Sequence, residues 1–89
     1  MRITSWRELI IEEMSKHGDS LLEFESSTFS DDGMDIEFDG GYGGVCGEPF
    51  TLWTKRRVYF PVKYDGAEWA GSASRNPDGE PTEHLGGGG

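Results

Sequence analysis

From residue 5 to residue 17 the apolar positions recur three and four apart. Trp6, Leu9, Ile10, Met14 and His17 lie on one stripe, the spacing that one face of an α-helix produces. Ser5 stands where an N-cap hydroxyl is needed, and Glu8, three residues on, completes a capping-box pattern. Gly18 follows the stripe as a left-handed C-cap residue would. A helix over residues 5–17 is therefore expected, with Ile11 off the stripe and either widening the buried face or exposed.

Over residues 21–29 the pattern alternates. Leu22 and Phe24 lead one face and Leu21, Glu23 and Glu25 the other, which predicts a strand. Residues 30–39 support two incompatible elements. Met34, Ile36 and Phe38 alternate with acids as in a strand, whereas Ser30 followed by two Asp makes a good helix start, with Met34 and Phe38 four apart. Five glycines among residues 40–47 predict a loop that presents Tyr42.

The stretch 50–74 holds two of the three Trp, two of the three Tyr and two of the five Phe, so the core is expected there. Strands are predicted over 50–54, 58–64 and 67–74, with Lys55-Arg56-Arg57 as the first turn and Asp65-Gly66 as a two-residue hairpin. Val58, Phe60, Val62 and Tyr64 share one face of the middle strand. Pro61 lacks an N–H, so its nitrogen must face an edge or a bulge. Residues 76–81 carry turn chemistry, and 85–89 form a glycine-rich tail expected to fray. The expected fold class is α+β, a single domain over residues 1–84 with an N-terminal helix packed on a small antiparallel sheet of three to five strands.

Composition changes this picture in one respect. The chain carries a formal charge of −9, and between Asp19 and Glu48 there are nine acids and no Lys or Arg; the other residues hold eight acids and eight bases. A field of that sign repels nucleic acids and anionic membranes and attracts cationic surfaces, over roughly 8 Å at physiological salt. One cysteine, Cys46, cannot form an internal disulfide, and no leader-like or membrane-spanning apolar run is present, which points to a reducing cytoplasm.

Catalytic and metal chemistry find little support. Asp35, Glu37, Asp39 and Gly40 have the opening spacing of a calcium loop, but Cys46 stands at its twelfth position, where a bidentate Glu is required. His17, Cys46 and His84 are too few and too scattered for structural zinc, and no base adjoins Cys46 in the sequence. The glycines of 40–47 precede no helix that could hold a phosphate, and the terminal Gly-Gly belongs to a chain that begins with a helix rather than the hairpin of ubiquitin-like carriers. Lys55-Arg56-Arg57 is the only basic cluster, expected as a solvated turn or an internal partner of the acids. No catalytic residue, metal or cofactor is expected.

The residues Gly41-Tyr42-Gly43, Pro49-Phe50-Thr51-Leu52-Trp53-Thr54, Arg57-Val58-Tyr59-Phe60-Pro61, Tyr64-Asp65-Gly66-Ala67-Glu68-Trp69 and Ser74-Arg75-Asn76-Pro77, with His84 and its glycines, resemble a set of small acidic proteins encoded by tailed phages and prophages. That resemblance covers about half the chain. It implies a host-takeover inhibitor, of the kind that includes anti-CRISPR proteins, acting in the host cytoplasm on a protein with a basic surface such as a CRISPR effector. Together with the charge it nominates Asp31, Asp32, Asp35, Glu37 and Asp39 as partner contacts and Tyr42 as an aromatic anchor, in a monomer or dimer. The competing expectation is a non-enzymatic assembly module that forms a homo-oligomer through a sheet edge; a small enzyme is the third.

Overall fold

The structure, a computed structural model, describes residues 3–30, 32–40, 47–64, 67–77, 79 and 81. Asp31, Tyr42, Cys46, the Asp65-Gly66 turn and the tail lie outside the described residues.

The expected helix is α1 (Trp6–His17), and its ends follow local chemistry. The Ser5 hydroxyl accepts from the Glu8 amide at 3.4 Å, while the Glu8 carboxylate takes the Thr4 hydroxyl at 3.0 Å. Gly18, at φ 66°, turns the chain so that its own amide and that of Asp19 both donate to the Met14 carbonyl. Trp6, Leu9, Ile10 and Met14 are buried; Ile11 is exposed.

Two antiparallel sheets flank the helix. The smaller pairs β1 (Ile3–Ser5) with β3 (Glu37–Asp39), Thr4 lying opposite Phe38. The larger is four-stranded, in the order β2 (Phe24–Ser27), β4 (Leu52–Thr54), β5 (Arg57–Tyr64) and β6 (Ala67–Ser74). The fold is therefore α+β, with one N-terminal helix packed on antiparallel sheet.

Three local expectations change. Residues 21–29 are not one strand: Leu21–Glu23 form a 3-10 turn because the Ser20 hydroxyl accepts from the Leu22 amide at 3.0 Å, and only Phe24–Ser27 are extended. That turn leaves Leu22 94% exposed. Neither reading of 30–39 holds throughout: Gly33–Asp35 form a single 3-10 turn rather than an α-helix, and only Glu37–Asp39 are strand. The first strand of the 50–74 stretch is shorter than expected.

In the β5–β6 hairpin Tyr64 lies opposite Ala67, as a two-residue connection requires. The Arg75 amide donates to the Arg56 carbonyl, so hydrogen-bonded pairs fall at alternate positions and Pro61–Ala70 is a pair without ladder bonds. The Pro61 nitrogen thus faces away from β6, on the side where β4 has already ended at Leu52. The expected edge is there, although β5 is an inner strand.

Tyr59, not the Val58–Phe60–Val62 face, points into the core. The buried set is Trp6, Leu9, Ile10, Met14, Phe50, Leu52, Tyr59 and Ala70, half from the helix and half from 50–74. Val58, Phe60 and Val62 remain half-buried on the face away from α1. Trp6 organises one end: its ring lies 5.0 Å from Phe38 and 4.7 Å from Phe50, Phe29 stacks on Phe50 at 4.9 Å, and its Nε1 donates to the Glu48 carbonyl at 3.0 Å.

Candidate functional site

Four of the nominated acids, Asp32, Asp35, Glu37 and Asp39, sit on or beside the unit formed by β1, the Gly33–Asp35 turn and β3, which packs on α1; Asp31 lies outside the described residues. Asp32 precedes the turn and is exposed, Asp35 ends it, and Glu37 and Asp39 are two apart on β3 and so share the face opposite Phe38. Phe38 faces inward onto Trp6. Between Asp35 and Glu37, Ile36 is 58% exposed.

The acidic run is not uncompensated, because two guanidinium groups reach it from outside the run. Arg7 on α1 donates through Nε to Asp35 Oδ1 at 2.6 Å and through Nη2 to Oδ2 at 3.2 Å, a bidentate pair. Arg75 pairs with Glu25 and also donates to the Thr54 carbonyl at 2.6 Å. A third acid, Asp19, turns inward. The spatial front is therefore smaller than the sequence run, and Asp35 stands in it as half of an ion pair. Asp32 and Glu37 form no ion pair among the described residues.

Sequence reasoning missed a second polar cluster, between the end of α1 and the sheet. Glu13 is buried; its Oε2 accepts from the Ser72 hydroxyl at 2.8 Å and from His17 Nε2 at 2.9 Å, and Ser72 in turn accepts from Arg57 Nε at 2.9 Å. Beside it, Asp19 Oδ2 accepts from the hydroxyls of Thr54 and Tyr59, each at 2.7 Å, while Oδ1 accepts from the Ser20 amide at 2.8 Å. A signal existed: Glu13 falls between Leu9 and His17 at four-residue spacing, an acid on the helix stripe that packs inward.

These contacts set proton affinities. Desolvation pushes the Asp19 carboxyl upward, but the Thr54 and Tyr59 hydroxyls, the Ser20 amide and the nearby Arg56 charge together hold it below the usual carboxylate range. Burial, and then the Asp19 charge, pushes the Tyr59 phenol up, so it stays a neutral donor. The Arg7 hydrogen bonds hold Asp35 low. A depressed folded-state value contributes stability in full above the unfolded value, about 3.9, and loses it as pH falls through the folded one. Denaturant midpoints should therefore drop as pH falls below about 4. Asp19→Asn should be less stable than the parent at neutral pH and fall less on acidification; an equal fall in both would remove Asp19 from the account.

No group of three or more His, Cys, Asp or Glu among the described residues is arranged to hold a metal ion. No helix among them is long and apolar enough to cross a membrane. Comparison with known protein families, with curated proteins and with solved structures finds no match.

Proposed function

We propose that this chain is a non-catalytic, phage-encoded inhibitor that docks its acidic corner, residues 32–39, on the basic surface of a host nucleic-acid-handling protein such as a CRISPR effector. The observation that carries this reading is Ile36, more than half exposed and flanked by Asp35 and Glu37. An apolar anchor rimmed by carboxylates suits a partner whose cationic surface normally holds phosphate: the charges steer encounter and Ile36 supplies the desolvated centre. The Arg7 clasp holds Asp35 in place and removes part of its charge, so steering rests more on Asp32 and Glu37. The likeness of the chain from Gly41 to its end to small phage proteins supports the same assignment and a place in the host cytoplasm.

Affinity capture from host lysate tests it, comparing the parent with a variant carrying Asp32→Asn, Asp35→Asn, Glu37→Gln and Asp39→Asn. The expected result is one partner retained by the parent at low salt and lost from the variant. Retention equal in both would overturn the acidic contact.

A second reading, a homo-oligomeric assembly module, is favoured by a different observation. The sheet face away from α1 carries half-buried Trp53, Val58, Phe60, Val62 and Ala73, and among the described residues β4 pairs with β5 only as far as Tyr59. Light scattering separates the two: a monomer at micromolar concentration disfavours assembly.

A further inference from the structure

Lys55-Arg56-Arg57, expected to be a solvated turn or a partner for the acids, forms no carboxylate ion pair among the described residues, while Arg7, Lys16 and Arg75 each do. Two of these three bases border a surface cleft of about 310 Å³ lined by His17, Arg56, Arg57, Ser74, Asn76 and Pro77. The cleft lies where the end of α1 meets the β4–β5 turn and the residues after β6, well away in the chain from the acidic corner.

Arg57 is oriented from behind. Its Nε is spent on Ser72, whose hydroxyl is committed to buried Glu13, so the guanidinium is braced through a chain of two hydrogen bonds. Its Nη1 and Nη2, the two-donor end of the fork, have no hydrogen-bond partner among the described residues. Arg56 uses one contact, from Nη1 to the Gly18 carbonyl at 3.4 Å. Among the described residues, the carboxylates of Glu13 and Asp19 beside this cleft already accept other hydrogen bonds. Glu13 is occupied by Ser72 and His17, and Asp19 by Thr54, Tyr59 and the Ser20 amide. On a protein of charge −9, exposed Arg56 and half-buried Arg57 thus bring two guanidinium groups to one cleft, with the fork of Arg57 still open to an acceptor.

We propose that this cleft binds an oxyanion, the carboxylate or phosphate group of a ligand, with the Arg57 fork as the principal donor and Arg56 and Asn76 completing the shell. A planar, pre-oriented guanidinium matches two oxygens of either group and loses little side-chain freedom on doing so. The proposal is independent of the acidic corner, because it uses different residues and an opposite charge.

Amide NMR on the full chain, titrated separately with inorganic phosphate and with acetate against a sodium chloride series of matched ionic strength, tests it. Saturable shifts at Arg57, Ser74, Arg75 and Asn76 that chloride does not reproduce are expected. Saturation by phosphate alone assigns a phosphate-bearing ligand, and saturation by acetate alone or by both assigns a carboxylate-tolerant site. Arg57→Gln should weaken binding at least about tenfold. Arg56→Gln and Asn76→Ala, both at exposed positions, should weaken it severalfold and keep the test open if Arg57→Gln fails to fold. Shifts that never saturate, match those with chloride, or persist unchanged in all three variants would overturn the site.

Discussion

Trp6→Ala is expected to destabilise the fold by about 3–5 kcal/mol, the usual cost of truncating a fully buried large aromatic. Trp6 is 1% exposed and joins the helix start to both sheets: its ring contacts Phe38 of β3 and Phe50 just before β4, and its Nε1 holds the Glu48 carbonyl. Removing it opens a cavity at the junction and strands that carbonyl. A chain of this length is stable by roughly 4–13 kcal/mol, so the loss removes a large share of that margin and unfolds the variant at 25 °C if the parent stands at the low end. Urea unfolding followed by far-ultraviolet circular dichroism measures this. A loss under about 1 kcal/mol would mean that Trp6 is not the keystone described.

Gly47→Ala should also destabilise the fold, by less and for the opposite reason. A Cβ built there would lie 2.6 Å from Trp6 Cζ2, 2.8 Å from Cε2 and 2.9 Å from Phe38 Cζ. Neither ring can retreat cheaply, since Trp6 is wedged between Phe38 and Phe50 and tied to Glu48, the residue next to the glycine. Overpacking of this kind costs about 1–3 kcal/mol. The Gly47 amide also donates to buried Glu68 Oε1 at 3.1 Å, so the backbone is held in place. The same substitution in a Trp6→Phe background should cost less, because the smaller ring leaves space, and the double-mutant cycle should show that coupling. Equal costs in the two backgrounds would refute the steric explanation.

What could be foreseen from sequence follows the range of the interactions. The helix, its Ser5 cap and its Gly18 turn are determined within four residues, and all three stand as expected. The β5–β6 hairpin is legible for the same reason, and Pro61 correctly implied an unpaired side. By contrast β1 is three residues long and its partner β3 lies more than thirty residues away, so nothing near Ile3 announces a strand. Alternation along β5 defines two faces without saying which is inside; both carry large side chains, and the position of α1 selects Tyr59. Leu22 misled because Ser20 diverts the backbone into a 3-10 turn before the strand begins.

The candidate acidic site was legible in part. Charge along the sequence located the corner at 32–39, but counting by segment could not see Arg7 and Arg75 arriving from α1 and from the residue after β6. Nor could it show Asp19 leaving the surface for Thr54 and Tyr59. Asp31 and Tyr42 lie outside the described residues, so the corner rests on Asp32, Asp35, Ile36, Glu37 and Asp39. The guanidinium cleft was missed because three bases in a turn look alike in sequence, and only the Glu13–Ser72–Arg57 brace distinguishes Arg57 from its neighbours.

The most direct test of the docking proposal is the association rate of the captured partner, measured against ionic strength for the parent and for the four-acid variant. If carboxylates at 32–39 steer the encounter, the parent rate falls steeply with salt while the variant is slow and nearly flat, with dissociation changed far less. Superimposable salt dependences for the two proteins would contradict it.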